Sequence, residues 1–113
     1  MKIITKEIQT AFDKQGDTSD KCADAIYVVC KLFNPVGAGT WYLYEQMKDN
    51  PDIYWCFATL GDIDLAELGT VSMSELMSAR LPFGLSIERD MQFPILKHKL
   101  SDVMTIIKRG DHI

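Results

Sequence analysis

Histidine is scarce in this chain of 113 residues and cysteine is odd in number, with two of the first and three of the second. Cys22, Cys30 and Cys56 contain no Cys-x-x-Cys pair, which excludes a zinc ribbon. An odd count also fails to build the disulfide framework of a small secreted domain, so a reducing compartment is the expectation. Cys30 and Cys56 fall inside the apolar runs 27–33 and 53–60, where a thiol behaves as a small buried hydrophobe and loses reactivity. A cysteine nucleophile would need a histidine base, and only His98 and His112 are candidates. Neither has a second histidine or cysteine at the i+3 or i+4 spacing of a metal site, so no metal and no cofactor is expected. The seven glycines and four prolines are scattered, which excludes collagen-like and low-complexity classes. No run approaches the roughly 20 consecutive apolar residues of a membrane span. The opening residues alternate charged and apolar side chains instead of building an apolar signal block, so a soluble cytoplasmic protein is expected.

What is present is enough for a core. Apolar residues make up 47% of the chain, and a chain of this length buries about two-thirds of the surface it exposes when unfolded. One domain over residues 1–113 is expected. Ile4, Ile8, Ala11 and Phe12 share one face of a helix that Thr5 can cap and Gly16 can end. The run 25–33 is rich in β-branched and aromatic residues and reads as a strand. The loop 34–39 then turns the chain, since proline removes a ladder donor and glycine permits positive φ. In the returning strand 40–46, alternation puts Trp41, Leu43 and Glu45 on one face and Tyr42 and Tyr44 on the other.

Residues 53–60 give a third strand and residues 67–72 a fourth. Their short connections favour an antiparallel meander over parallel crossovers. Ser72-Met73-Ser74-Glu75 has the form of a capping box and announces a short helix to about Arg80. Residues 86–93 read as an irregular extended segment. Leu100, Val103, Met104 and Ile107 recur at helical spacing, with Ser101 or Asp102 at the start and Lys108 and Arg109 in the last turn. The expected fold is α+β: a four- to five-stranded antiparallel meander with an N-terminal helix, a short helix after the fourth strand and a C-terminal helix.

Charge is uneven. Against a net −4 for the chain, residues 45–75 hold one lysine and seven carboxylates. If the loops at 48–52 and 61–67 lie close in space, Asp49, Asp52, Asp62, Asp64 and Glu67 form one acidic patch that attracts a basic protein surface and repels nucleic acid. If one sheet face lacks a covering helix, Tyr42 and Tyr44 add aromatic anchors to it. Asp62-x-Asp64-x-x-Glu67 lacks the glycine and the distant glutamate of an EF-hand loop, and it is not assigned a metal. In Glu88-Arg89-Asp90 the two carboxylates share a face. Arg89 is expected to form an internal ion pair that pins the 82–84 turn to the sheet.

Four blocks carry a family resemblance: Trp41-Tyr42, the run 56–61, the run 67–76, and Pro-Phe-Gly-Leu-Ser-Ile-Glu-Arg-Asp at 82–90. With the opening Lys-Ile-Ile-Thr-Lys-Glu-Ile, they resemble the small bacterial and phage proteins of the domain of unknown function 2958 over about the first 93 residues. Leu81 stands where that pattern leads one to expect glycine, and Ser86 where it leads one to expect proline. The resemblance implies a plasmid, phage or other mobile-element setting in a bacterial host cell, with no agreed activity. With the acidic middle third, the expected function is non-enzymatic binding of a basic protein partner. Inhibition of a nucleic-acid-directed defence enzyme, in the manner of an anti-CRISPR protein, is the expected form of that binding. The alternatives are a small hydrolase or transferase using Glu88, Asp90 or His98, and a homodimeric structural domain.

Overall fold

The computed structural model describes residues 2–113. The chain runs through α1 (Lys6–Gln15), β1 (Cys30–Phe33), β2 (Thr40–Gln46), β3 (Ile53–Thr59), β4 (Glu67–Ser72), α2 (Met73–Ser78), β5 (Glu88–Arg89) and α3 (Leu100–Lys108). Single 3₁₀ turns occupy Ala23–Ala25, Ile63–Leu65 and Pro82–Gly84. The strands form one antiparallel sheet in the order β4-β3-β2-β1-β5. The first four are the meander expected from the short connections. β5 then crosses back to join the outer side of β1.

The helices form where the residue chemistry places them. The Thr5 hydroxyl accepts the Ile8 amide at 3.3 Å and caps α1, whose Ile8, Ala11 and Phe12 are buried. Gly16 leaves the helix at φ 65°, a conformation that needs no Cβ. α2 is capped by Ser72 as its sequence indicates, but Ala79 turns extended and ends it at Ser78, before Arg80. Lys99 is the N-cap of α3, so Ser101 and Asp102 lie within its first turn and do not cap it.

Both faces of the sheet are covered. α1 and α2 pack over Cys30, Leu32, Leu43, Tyr54 and Cys56. α3 packs over Tyr42, Tyr44 and Phe57 through Leu100, Val103 and Ile107. An antiparallel sheet can leave one face to water, but here each terminal helix supplies an apolar stripe for a different face. Burial raises the Cys30 and Cys56 thiols to about 12, so neither is a nucleophile at neutral pH. Among the described residues no helix is long and apolar enough to cross a membrane.

Two departures from simple alternation matter. The strand expected over 25–33 joins β2 only from the Val29 amide, which donates to the Leu43 carbonyl at 2.8 Å, and the regular ladder begins at Cys30. Upstream, Val28 donates to the His98 carbonyl at 2.9 Å, and the Ile26 and Val28 carbonyls accept from Leu100 and Leu96 at 2.8 and 3.1 Å. In β2 the register shifts between Leu43, opposite Cys56, and Glu45, opposite Trp55. Tyr44 is therefore the extra residue of a bulge. The shift moves Glu45 off the Trp41 and Leu43 face, where alternation places it, to the side of Trp55. There its carboxylate accepts the Thr18 amide at 2.9 Å and the Thr18 hydroxyl.

Candidate functional site

Consecutive hairpins turn at alternate ends of a meander, so the β2–β3 loop and the β3–β4 loop are held apart by the whole of β3. Seven residues of strand span roughly 20 Å. Asp49 and Asp52 thus lie at one end of the sheet, and Asp62, Asp64 and Glu67 at the other. The five carboxylates expected to converge form two separate groups. At the second end, Gly61 sits against Ala38 of the β1–β2 loop, 3.1 Å from where its Cβ would be.

Asp52 is committed internally. Its carboxylate accepts the Ser72 hydroxyl at 2.6 Å, the Ser74 hydroxyl at 2.7 Å and the Ser74 amide at 2.9 Å. It therefore caps α2 from a neighbouring loop, an arrangement the Ser72–Glu75 pattern alone does not reveal. The Ser72 hydroxyl, followed by the Ser74 hydroxyl and amide, holds the Asp52 carboxyl below its ordinary value. A lowered folded value contributes stability that is present above the unfolded pKa of about 3.9 and is lost as pH falls through the folded one. The difference in urea midpoint between the protein and Asp52→Asn should therefore be largest at neutral pH and shrink on acidification below about pH 4. A difference that stays constant across that range would remove the charge from the cap.

The two tyrosines are not surface anchors. Tyr42 and Tyr44 are 2% and 6% exposed beneath α3, because the second face is covered. Burial comes first in raising both phenols to about 12. The Tyr42 hydroxyl donates to the Ile113 carbonyl. The exposed aromatic is Phe83, 91% exposed on a turn where it takes φ 63°, a left-handed value unusual for a residue with a bulky side chain.

Glu88, Asp90 and His98 share no hydrogen bond with one another among the described residues. The Asp90 carboxylate lies 3.6 Å from the Lys31 ammonium and accepts the Gln92 amide at 2.9 Å. The His98 ring rests on Phe93 with centroids 5.2 Å apart. Glu88 stands opposite Phe33 on β5. The ion pair expected of Arg89 belongs to Lys31 instead. The Arg89 guanidinium donates to the Met91 sulfur at 3.0 Å, and its Nε is buried without a partner.

At the far end of β3 the surface is of another kind. Leu60, Ile63, Leu65 and Leu68 are 69%, 40%, 74% and 46% exposed, and they interleave with exposed Asp62, Asp64 and Glu67. Asp62 caps the Ile63–Leu65 turn by accepting the Asp64 amide at 2.9 Å. Among the described residues none of these three carboxylates is in an ion pair, since the observed pairs are Lys31–Asp90 and Arg109–Asp111. Arg109, which follows α3, is engaged by Asp111 at 2.7 Å. The run Leu-Gly-Asp-Ile-Asp-Leu-Ala-Glu-Leu is plain in the sequence, but its leucines pass for core residues until the fold places Leu60 and Leu65 in the exposed β3–β4 connection and Leu68 on the edge strand β4.

Beside this edge opens a cleft of about 370 Å³ on the α3 side of the sheet. Ile26, Tyr44, Trp55, Leu68 and Leu100 form its apolar walls, with Lys21 and Glu45 at its polar ones. Among the described residues no group of three His, Cys, Asp or Glu side chains is placed to hold a metal ion. The site is thus an acidic, leucine-bearing sheet edge that continues into an apolar cleft.

Comparison with known families gives one result. The chain belongs to the family described as Protein of unknown function (DUF2958), whose model matches residues 3–113. The match takes in the C-terminal segment with α3, beyond the first 93 residues on which the sequence blocks rest. No curated protein and no solved structure matches the chain.

Proposed function

We propose that this DUF2958 protein works by binding another protein whose docking surface is basic, and that residues 60–68 make the contact. The observation that carries this reading is the interleaving of unpaired Asp62, Asp64 and Glu67 with the exposed Leu65 and Leu68. Apolar side chains supply contact area, and unneutralised carboxylates select the sign of the partner and steer its approach. The same carboxylates repel phosphate, which argues for a protein partner over nucleic acid. The basic groove of a nucleic-acid-processing enzyme fits this chemistry, and the mobile-element setting implied by the family resemblance favours a host defence enzyme of that class as the one inhibited. Asp49 and the buried Tyr42 have no part in this contact, and Tyr44 enters it only as a wall of the cleft.

The test is capture from a bacterial lysate on the immobilised protein, with Asp62→Lys/Asp64→Lys as control, followed by association kinetics on the captured partner. The double variant should associate about tenfold more slowly at low salt, and the gap should close as salt is raised. Equal rates for the two proteins at all salt concentrations would remove the acidic edge from the interaction.

A further inference from the structure

We propose that the partner docks by strand addition, pairing an extended segment of alternating basic and apolar residues with the outer side of β4; this rests on the acidic-edge reading above. β4 has six residues and a single neighbour, β3, whereas the opposite edge strand β5 has only two. The Met73 amide donates to the Asp52 carbonyl at 2.8 Å, which sets the phase of the β3–β4 ladder. Counting from that bond, Val71, Gly69 and Glu67 pair inward, and the N–H and C=O of Leu68 and Thr70 point away from the sheet. Among the described residues no loop or side chain bonds these outward groups.

Protein sheets shield such an edge with lysine, proline, a bulge or a covering helix. β4 has none of these, and Glu67 is its only charge. A Cβ built on Gly69 would meet nothing within 4 Å, so the sheet face at mid-strand leaves room for the side chains of a neighbouring strand.

The chemistry of the incoming strand follows from the two faces. Leu68 and Thr70 stand opposite Phe57 and Trp55 and so share the α3 face, where Leu68 and Trp55 line the 370 Å³ cleft. Every second side chain of an added strand falls on that face, and an apolar one can enter the cleft. The intervening side chains pass Glu67 on the other face and approach Asp62 and Asp64 at the strand end, which calls for lysine or arginine. A second copy of this chain meets the requirement poorly, because it carries the same carboxylates and a net charge of −4.

The experiment uses the full chain and the peptide acetyl-Lys-Val-Lys-Phe-Lys-Val-Lys-amide as probe, alongside the same peptide with alternate amides N-methylated. Strand addition requires that the unmodified peptide slow hydrogen exchange at the Leu68 and Thr70 amides by at least about tenfold and that N-methylation weaken binding by a similar factor. Thr70→Pro removes an outward donor that the fold does not use, and it should abolish binding of the unmodified peptide while leaving the exchange pattern of β2 and β3 intact. Should that variant fail to fold, the N-methylated peptide still decides the question. Equal binding of both peptides without protection at Leu68 and Thr70, yet weakened by Asp62→Lys/Asp64→Lys, would overturn strand addition and leave the acidic edge standing. Indifference to the charge reversal would instead count against the acidic edge itself. Binding of neither peptide, or a dimer in sedimentation with Leu68 and Thr70 already protected, would also overturn strand addition.

Discussion

Phe57→Ala is expected to lower the unfolding free energy by about 3–5 kcal/mol, a large part of the roughly 5–15 kcal/mol that holds a domain of this size. Phe57 is fully buried at the centre of β3, between Tyr42 on β2 and Leu68 on β4. Its ring lies 6.4 Å from that of Tyr42, and Leu100, Val103 and Ile107 of α3 belong to the same cluster. The site is poorly able to collapse around the lost ring. The strands on either side are fixed by ladder bonds, and α3 is anchored through Leu100, whose amide bonds the Ile26 carbonyl at 2.8 Å. The expected result is therefore the transfer loss plus a cavity term, read as a lower urea midpoint at an unchanged slope. A loss below about 1 kcal/mol would mean that α3 is free to settle onto the sheet and that this face is less tightly packed than described. Leu65→Ala is the companion measurement, because a side chain 74% exposed on the docking edge should change stability by no more than about 0.5 kcal/mol.

The second large effect is expected at Gln15, a half-buried residue at the end of α1. The β2 bulge takes Tyr44 out of the ladder with β3, and its carbonyl accepts instead from the Gln15 amide group. The same side chain donates to the Tyr27 carbonyl at 2.7 Å and accepts the Tyr27 amide at 2.9 Å. One glutamine thus joins α1 to two irregular backbone segments, where the regular pairing of the sheet lapses. Gln15→Ala leaves three main-chain groups without their partner, and at about 1 kcal/mol for each bond the loss should be about 2–3 kcal/mol. Gln15→Glu is expected to be no better at neutral pH, where a carboxylate would face two carbonyls. It should recover part of the loss at acid pH, where the protonated acid can donate. Urea midpoints of both variants at pH 7 and pH 4 provide the check; full stability of Gln15→Ala would show that water replaces the side chain without cost.

These two residues mark how far the sequence can be read. Phe57 announces itself, as it lies in the most apolar run of the chain and alternation puts it on the face shared with Trp55. Gln15 does not. Its role depends on a bulge at Tyr44, and a bulge leaves no mark in a strand whose pattern alternates equally well without one. The same limit separates Asp52 from the acidic group to which its charge alone assigns it. The sequence shows a carboxylate in a polar turn, whereas the structure shows the turn folded against the start of α2, with both serine hydroxyls taken up.

Leu65 and Leu68 invert the usual inference from hydrophobicity. Their residue type suggests core, and only the fold exposes them, Leu65 in the turn that leads into the outermost strand and Leu68 on that strand. Tyr42 and Tyr44 are binding anchors only if the second sheet face is bare, and they lie beneath α3.

By itself the sequence determined the elements: helices where apolar residues recur at three and four with Thr5 and Ser72 as caps, strands where β-branched and aromatic residues alternate, and turns short enough to force an antiparallel meander. These depend on interactions within a few positions of each residue, and the pattern of side chains records them. Tertiary structure alone decided which strand became the open edge, which side chains the polar turns engage and which face each helix covers. Those outcomes depend on contacts between residues distant along the chain, such as Val28 with His98 or Asp52 with Ser74, and local periodicity carries no trace of such pairings.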